Sequence, residues 1–273
     1  MNNDYEKHYV MDWDIESDFL LPRECFKNVM KFHQSTVLTN SKNNMIGNIS
    51  QPLYDWCITH QKKAPIPQSY LKKIQLEDEL EFKGISSERN YDKNYIFPLH
   101  DLSVLLHSSF GAEKDGDLHR KYPSAGALYP VYPIVYVFNK KYMEGSFEEG
   151  VYYYDGFSNQ LLQVKKWTEV EMQKAIDSIK PDGLLFSHYA IGYVADFRKA
   201  IIKYRSLGYK HVMLEAGMMV QQFRDNLVIL NKSYGDLSYS GFNDNALTKL
   251  SGFDVSNSPV ILVQWFGRRR GET

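Results

Sequence analysis

The chain has 273 residues, of which 32 are lysine or arginine and 33 are aspartate or glutamate, giving a formal net charge of −1. This balance argues against the basic surface that binding to nucleic acid or to an anionic membrane requires. Two cysteines are too few for a disulfide framework, no apolar run approaches the roughly 18 residues of a membrane span, and no secretory leader is visible, so the sequence predicts a cytoplasmic protein.

The N-terminal third alternates short apolar runs with polar stretches rich in Lys and Glu. Residues 40–44 and 64–67 predict loops because they are rich in Asn, Ser and Pro. Cys57 and His60 form an isolated pair rather than a set of zinc ligands, so no metal site is predicted. We predict that residues 1–84 form an N-terminal extension and that residues 85–273 form the core domain.

The core domain shows a regular succession of helix and strand patterns. Leucines from Leu99 to Leu106 repeat at helical spacing, and the polar stretch 110–120 predicts a loop. The predicted strands are 134–138, 151–154 and 160–164 as a hairpin, 190–195, 236–242 and 259–266. The predicted helices are 167–179, a helix from Asp196 as N-cap to Leu207 with Gly208 at its C′ position, 210–232, and a short helix between the last two strands. The mixture predicts an α+β fold.

The helix predicted over 210–232 is the longest of the chain. Its apolar residues step by three or four positions along one face, namely Val212, Ala216, Met219, Phe223, Leu227 and Leu230. That spacing is typical of a helix packed against a core, and further apolar residues on its other faces predict a central position in the domain.

The segment from Tyr122 to Pro130 carries small residues between two prolines, just before a predicted strand. Small side chains let main chain approach a flat ligand closely and offer N–H donors to it. The same composition also suits a rigid turn that enters the strand. The residues alone leave both interpretations open.

Four motifs together resemble one family. They are Pro-Ser-Ala-Gly-Ala-Leu-Tyr-Pro (123–130), Lys203-Tyr204-Arg205 followed by Gly208-Tyr209, Leu214-Glu215-x-Gly217-x-x-x-Gln221, and Pro259-x-Ile-x-Val-Gln-x-Phe-Gly267. Their order and spacing resemble those of the SagB/McbC-type azoline dehydrogenases, flavoproteins of the nitroreductase fold. The resemblance covers residues 85–267 well and residues 20–60 loosely.

The resemblance implies a nitroreductase-like α+β fold, with a central, mostly antiparallel sheet surrounded by helices and an additional N-terminal segment. It implies FMN-dependent oxidation of peptide azolines to thiazoles or oxazoles in the biosynthesis of a bacteriocin-like peptide, with molecular oxygen as the final electron acceptor. Two alternatives remain: an NAD(P)H-dependent reductase of the nitroreductase type, and a non-catalytic scaffold subunit of a peptide-modifying complex.

The resemblance also implies positions for FMN. Ser87 and Arg89 match the segment that contacts the ribityl phosphate, although the register is shifted by Glu88. The other positions implied for the cofactor are Pro123, Ser124, Ala125, Gly126, Leu128, Glu215, Gly217, Gln221, Gly267 and Arg268. From the residues themselves, Glu215 suits either an N–H of the small-residue segment, an arginine, or an intrahelical partner, and the arginines 268–270 suit either the phosphate or a solvated tail.

The catalytic pair implied by the resemblance is Lys203 with Tyr204, the lysine acting as a base for an acidic ring proton. Adjacent residues diverge on a helix, so the two share a site only if that end of the helix is distorted or both line one pocket. His119 and His211 are further acid–base candidates. The implied partners are a precursor peptide, cyclodehydratase subunits and a second copy of the chain, with residues 1–84 used for docking or peptide contact.

Overall fold

The computed structural model describes residues 15–39, 50–61, 66–76, 84–113, 119–180 and 185–271, so the loop predicted over 40–44 lies outside the described residues. The helices are α1 (Ile15–Leu20), α2 (Arg23–Thr36), α3 (Gln51–Gln61), α4 (Leu99–Phe110), α5 (Glu169–Ile179), α6 (Phe197–Tyr204), α7 (Leu207–Leu230) and α8 (Asp244–Leu250). The strands are β1 (Val131–Val137), β2 (Gly150–Asp155), β3 (Gln160–Lys166), β4 (Tyr189–Ala195), β5 (Tyr234–Tyr239) and β6 (Val260–Arg268).

The chain divides into two compact units. The larger contains the described parts of Met1–Thr39 and Ser87–Thr273, and the smaller those of Asn40–Ser86. In the smaller unit the Trp56 ring stacks on His60 in α3, with ring centroids 4.2 Å apart. The boundary predicted at residue 84 stays a prediction.

The six strands form one antiparallel sheet in the order β3-β2-β1-β4-β6-β5. Successive residues of a strand point to opposite faces of a sheet, and β1 is buried along its whole length. Val131 and Val135 therefore join the core on one face, while Ile134 and Tyr136 join the core on the other. Helices cover both faces, which is why β1 is an almost continuous apolar run.

The helix α7 packs on one face of the sheet, where it also contacts α4 and α6. The face predicted from its spacing is confirmed: Val212, Ala216, Met219, Phe223 and Leu227 are buried. The acidic side chain of Glu215 is buried on the same helix. Among the described residues, no helix has both the length and the hydropathy of a membrane span.

The prediction of one helix from Asp196 to Leu207 is right at its start and wrong at its end. The Asp196 carboxylate caps α6 by accepting from the N–H of Arg198 at 3.0 Å. The helix ends at Tyr204, because Arg205 takes a left-handed φ of 54°. Gly208 lies in the first turn of α7, where a Cβ would stand 2.7 Å from the carbonyl carbon of Ala200. This glycine therefore permits α6 and α7 to cross closely and is not a C-cap.

Candidate active site

The small-residue segment forms a strained loop that leads into β1. Ala125–Ala127 make a single 3-10 turn, in which Gly126 has φ 66° and Ala127 has φ 53°. Tyr129, which follows Leu128, is also left-handed, with φ 46°. Such backbone costs about 1–3 kcal/mol per non-glycine residue and persists only where its surroundings impose it. The loop thus presents main chain and few side chains, with Gly126 and Ala127 exposed.

A buried carboxylate holds this loop in place. Ser124 Oγ donates to Glu215 Oε2 at 2.5 Å, and the N–H of Val131 donates to Glu215 Oε1 at 3.3 Å. Ser124 Oγ in turn accepts from the N–H of Tyr129 at 2.9 Å. Of the partners considered for Glu215, the structure therefore selects the loop rather than a residue of its own helix.

The environment of Glu215 disfavours its charged form. The carboxyl is 1% exposed. Burial raises the pKa of Glu215 to about 7, although the hydrogen bonds from Ser124 and Val131 act in the opposite direction. A carboxyl that titrates near neutral pH behind a functional loop links the packing of that loop to pH.

Lys203 and Tyr204 meet at this loop although they are adjacent in sequence. A Cβ built on Gly126 would lie 2.5 Å from Lys203 Nζ and 2.5 Å from Tyr204 OH. The two polar tips therefore converge on one point of the main chain, which only glycine leaves open. Both residues lie in the last turn of α6, which ends at Tyr204.

A cavity of about 600 Å³ opens beside the loop. Its wall runs between His119 and Tyr129 and includes Ser124 and Gly126. The volume lies within the range of small-molecule sites, about 300–1,000 Å³. Arg120 also lines this cavity and was missed by the sequence analysis. The only signal for it was a basic side chain three residues before Pro123, which is too common to notice.

A second cluster gathers the arginines at the other end of α7. The Glu88 N–H donates to the Asp236 carbonyl, and Arg224 makes two hydrogen bonds to the Asp236 carboxylate. Glu215 and Arg224 are nine residues apart on α7, which corresponds to about 14 Å of helix. Segment 90–92 pairs with segment 268–270 through two backbone hydrogen bonds and the β-bridge between Tyr91 and Arg269, so these arginines are not a free tail.

The paired segments bring together the positions predicted for a phosphate. Arg89 is exposed. Glu88 is the additional residue of the segment, and its Oε1 accepts from the N–H of Arg89, which forms a turn at this point. The Arg268 guanidinium lies over the Tyr95 ring, 5.2 Å from its centroid. Ser87 is exposed beside them in sequence. The structure therefore brings the first and last thirds of the chain to one basic edge.

No protein-family model matches the chain. It is 25% identical over 223 residues to the microcin B17-processing protein McbC of Escherichia coli. The aligned region covers 75% of this chain and 80% of McbC. It superposes on a chain of the E. coli microcin synthetase McbBCD complex with truncated pro-MccB17 bound, with a TM-score of 0.78, 23% identity, and coverage of 94% of this chain and 98% of that one. The chain is thus similar to a SagB/McbC-type protein over most of its length.

The fold is shared more widely. A putative nitroreductase from Ralstonia eutropha superposes with a TM-score of 0.53 and 18% identity, covering 77% of this chain and 97% of that one. The nitroreductase-like α+β fold predicted for this chain is therefore confirmed.

The remaining positions predicted for the cofactor lie in different surroundings. Gly217 is exposed on α7, and a Cβ there would meet nothing within 4 Å. Gln221 is exposed and donates to Asp225 one turn later. Gly267 is buried in β6, where a Cβ would meet Ser187 Oγ at 3.2 Å, so protein rather than a cavity lies on that side. Pro123 lines the cavity.

Proposed function

We propose that this protein oxidises azoline rings of a ribosomally made precursor peptide to thiazoles or oxazoles, with FMN as cofactor. The observation that carries the proposal is the convergence of Lys203 Nζ and Tyr204 OH on Gly126 at the rim of the cavity. The McbC likeness supports it, because McbC is a microcin B17-processing protein.

The residues present fit a flavin. The exposed main chain at Gly126 and Ala127, with a cavity of about 600 Å³ beside it, offers a flat surface without large side chains. Arg89 and Arg268 would hold the phosphate, since a guanidinium binds phosphate through paired, charge-assisted hydrogen bonds. The loop and the basic edge lie towards opposite ends of α7, as an elongated cofactor requires.

Oxidation of an azoline removes one hydrogen as a proton and one as a hydride. FMN, when bound, supplies the two-electron acceptor for the hydride, and molecular oxygen takes the electrons afterwards. In this proposal Lys203 Nζ takes the proton from the ring carbon. Tyr204 OH, whose tip lies at the same point of the loop, orients the ring by a hydrogen bond. Glu215 holds the loop through Ser124 and does not touch the reacting atoms.

The proposal includes three kinds of partner in the cytoplasm: the precursor peptide, cyclodehydratase subunits and a second copy of the chain. The synthetase complex that the fold matches contains a truncated pro-MccB17, which supports the first two. The exposed side of α7 supports the third. Leu214 is 56% exposed and Met218 37% exposed on either side of Gly217, and an exposed apolar helix face of this kind is typical of a contact with another chain.

The decisive experiment incubates the FMN-loaded protein aerobically with a synthetic thiazoline peptide and follows the loss of two hydrogens by mass spectrometry. We expect oxidation by the wild type, and a 10²–10⁴-fold slower rate for Lys203→Ala with an unchanged flavin spectrum. Lys210→Ala, an exposed lysine on α7, is the matched control. Reduction of the flavin by NADPH without thiazoline oxidation would favour the reductase alternative. Failure to bind FMN would favour a scaffold subunit.

A further inference from the structure

Arg120 is a half-buried cation that forms no salt bridge with a described residue, although its charge acts on the carboxyl groups of Glu215 and Asp155. Its Nη1 donates to Tyr122 OH at 3.1 Å, while its Nε is buried without a hydrogen-bond partner. The guanidinium carbon lies 5.0 Å from the centroid of the Tyr129 ring. Among the described residues, no carboxylate comes within 4.0 Å of it. A guanidinium with an unused buried donor can donate a hydrogen bond to an anionic ligand.

The surroundings of Arg120 belong to the cavity beside the loop. The lining contains His119, Arg120 and Lys121, and none of its lining residues is Asp or Glu. Lys121 is already engaged, because its Nζ lies 2.9 Å from Glu113 Oε1. Arg120 is therefore the lining arginine without a salt bridge, and its guanidinium packs against the Tyr129 ring.

A cofactor phosphate does not explain this arrangement. The arginines suited to a phosphate lie with the 88–92 and 268–270 segments, towards the other end of α7. The cavity that Arg120 lines is also lined by Gly126, on which Lys203 and Tyr204 converge. A ligand group held by Arg120 is thus next to the reacting ring and not at the far end of a flavin.

We infer that Arg120 forms a carboxylate-binding subsite, which takes a peptide carboxylate adjacent to the ring that is oxidised. This inference rests on the proposed function for the identity of the ring. A planar guanidinium and a planar carboxylate match in geometry, and hydrogen bonds between charged groups are about twice as strong as neutral ones. The carboxylate belongs either to an acidic side chain or to the C-terminus of the peptide, and the experiment separates these sources.

The test measures binding by calorimetry, using thiazole peptides because they need no turnover. The first pair is acetyl-Gly-thiazole-Gly with a free C-terminus and the same peptide as its C-terminal amide. The second pair carries Asp or Asn after the thiazole, both as C-terminal amides. For the FMN-loaded wild type we expect the carboxylate member of one pair to bind about tenfold more tightly than its neutral partner. The pair that shows the preference identifies the source.

Variants test whether the preference for the carboxylate peptide depends on Arg120. Arg120→Met, which keeps the length of the side chain, is expected to abolish the preference and leave the affinity for the neutral peptides within about twofold. Arg120→Lys is expected to retain a smaller preference, because it keeps the charge and loses the fork. Arg23→Met removes a surface arginine paired with Asp18 and is expected to change nothing. Thermal melts show whether each variant is folded.

Two results would overturn the subsite. One is equal affinity of the wild type within both pairs, which needs no variant. The other is a preference for the carboxylate peptide that survives in Arg120→Met, whether or not that variant still binds FMN. The thiazoline forms of the same peptides keep the two proposals separate. Preference without oxidation contradicts only the proposed reaction, and oxidation without preference contradicts only the subsite.

Discussion

Glu215 in the middle of α7 accepts a 2.5 Å hydrogen bond from Ser124, which lies 91 residues earlier in the chain. This contact ties the central helix to the loop on which Lys203 and Tyr204 converge. The same carboxylate accepts from the first N–H of β1, so one side chain anchors both ends of the loop.

Replacing Glu215 by Ala leaves the Ser124 hydroxyl and the Val131 N–H without their acceptor. Each buried group left unpaired costs about 1–3 kcal/mol, so we expect the free energy of unfolding to fall by about 2–4 kcal/mol. Urea denaturation measures this change in the free energy of unfolding. Glu24→Ala, an exposed glutamate in the first turn of α2, is the control and should change the stability by less than about 0.5 kcal/mol. An equal effect of both substitutions would contradict the anchoring role.

The stability of the wild type is expected to depend on pH through Glu215. Because the pKa of Glu215 rises from 4.5 to about 7 on folding, the folded state binds an additional proton between these values. The stabilisation that this proton on Glu215 adds to the free energy of unfolding is complete below pH 4.5 and is lost as the pH rises through 7. The free energy of unfolding should therefore fall by about 3 kcal/mol relative to Glu215→Gln over this window. If the free energies of unfolding of the wild type and of Glu215→Gln changed in parallel with pH, the raised pKa of Glu215 would be refuted.

Gly126→Ala is expected to separate Lys203 and Tyr204, the proposed catalytic pair, from the loop. The added methyl group would stand 2.5 Å from both Lys203 Nζ and Tyr204 OH, and the left-handed φ of 66° adds backbone strain of about 1–2 kcal/mol. We expect the rate of azoline oxidation to fall at least 100-fold, since small displacements of reacting groups are costly. Comparison with Ala127→Gly, which relieves strain at the next position, shows whether the loss comes from the collision.

Gly217→Ala tests the exposed face of α7. Alanine is favoured over glycine by about 1 kcal/mol inside a helix, and nothing lies within 4 Å of the new methyl group. The isolated subunit should therefore gain about 1 kcal/mol of stability in urea denaturation. If the proposed second copy packs on this face, sedimentation equilibrium should at the same time show weaker dimerisation. Unchanged association would place the dimer contact elsewhere.

Local sequence determined much of this molecule. The three- and four-residue spacing of α7, the apolar run of β1 and the Asp196 cap depend on neighbours close in the chain, so periodicity and capping predict them. The small residues around Gly126 predicted exposed main chain for the same reason. The resemblance of four motifs pointed to Lys203 and Tyr204.

Only the tertiary structure decided which groups meet. The partner of Glu215, the pairing of segment 90–92 with 268–270, and the separate ends of α6 and α7 depend on contacts between residues far apart in sequence. Gly208 illustrates the difference, because its sequence context suits a helix C-cap, whereas its backbone lies against Ala200 in the crossing of two helices. Arg120 becomes a candidate binding residue only because the folded chain places it in the wall of a cavity. Burial and charge pairing are properties of that three-dimensional neighbourhood, which no local pattern encodes.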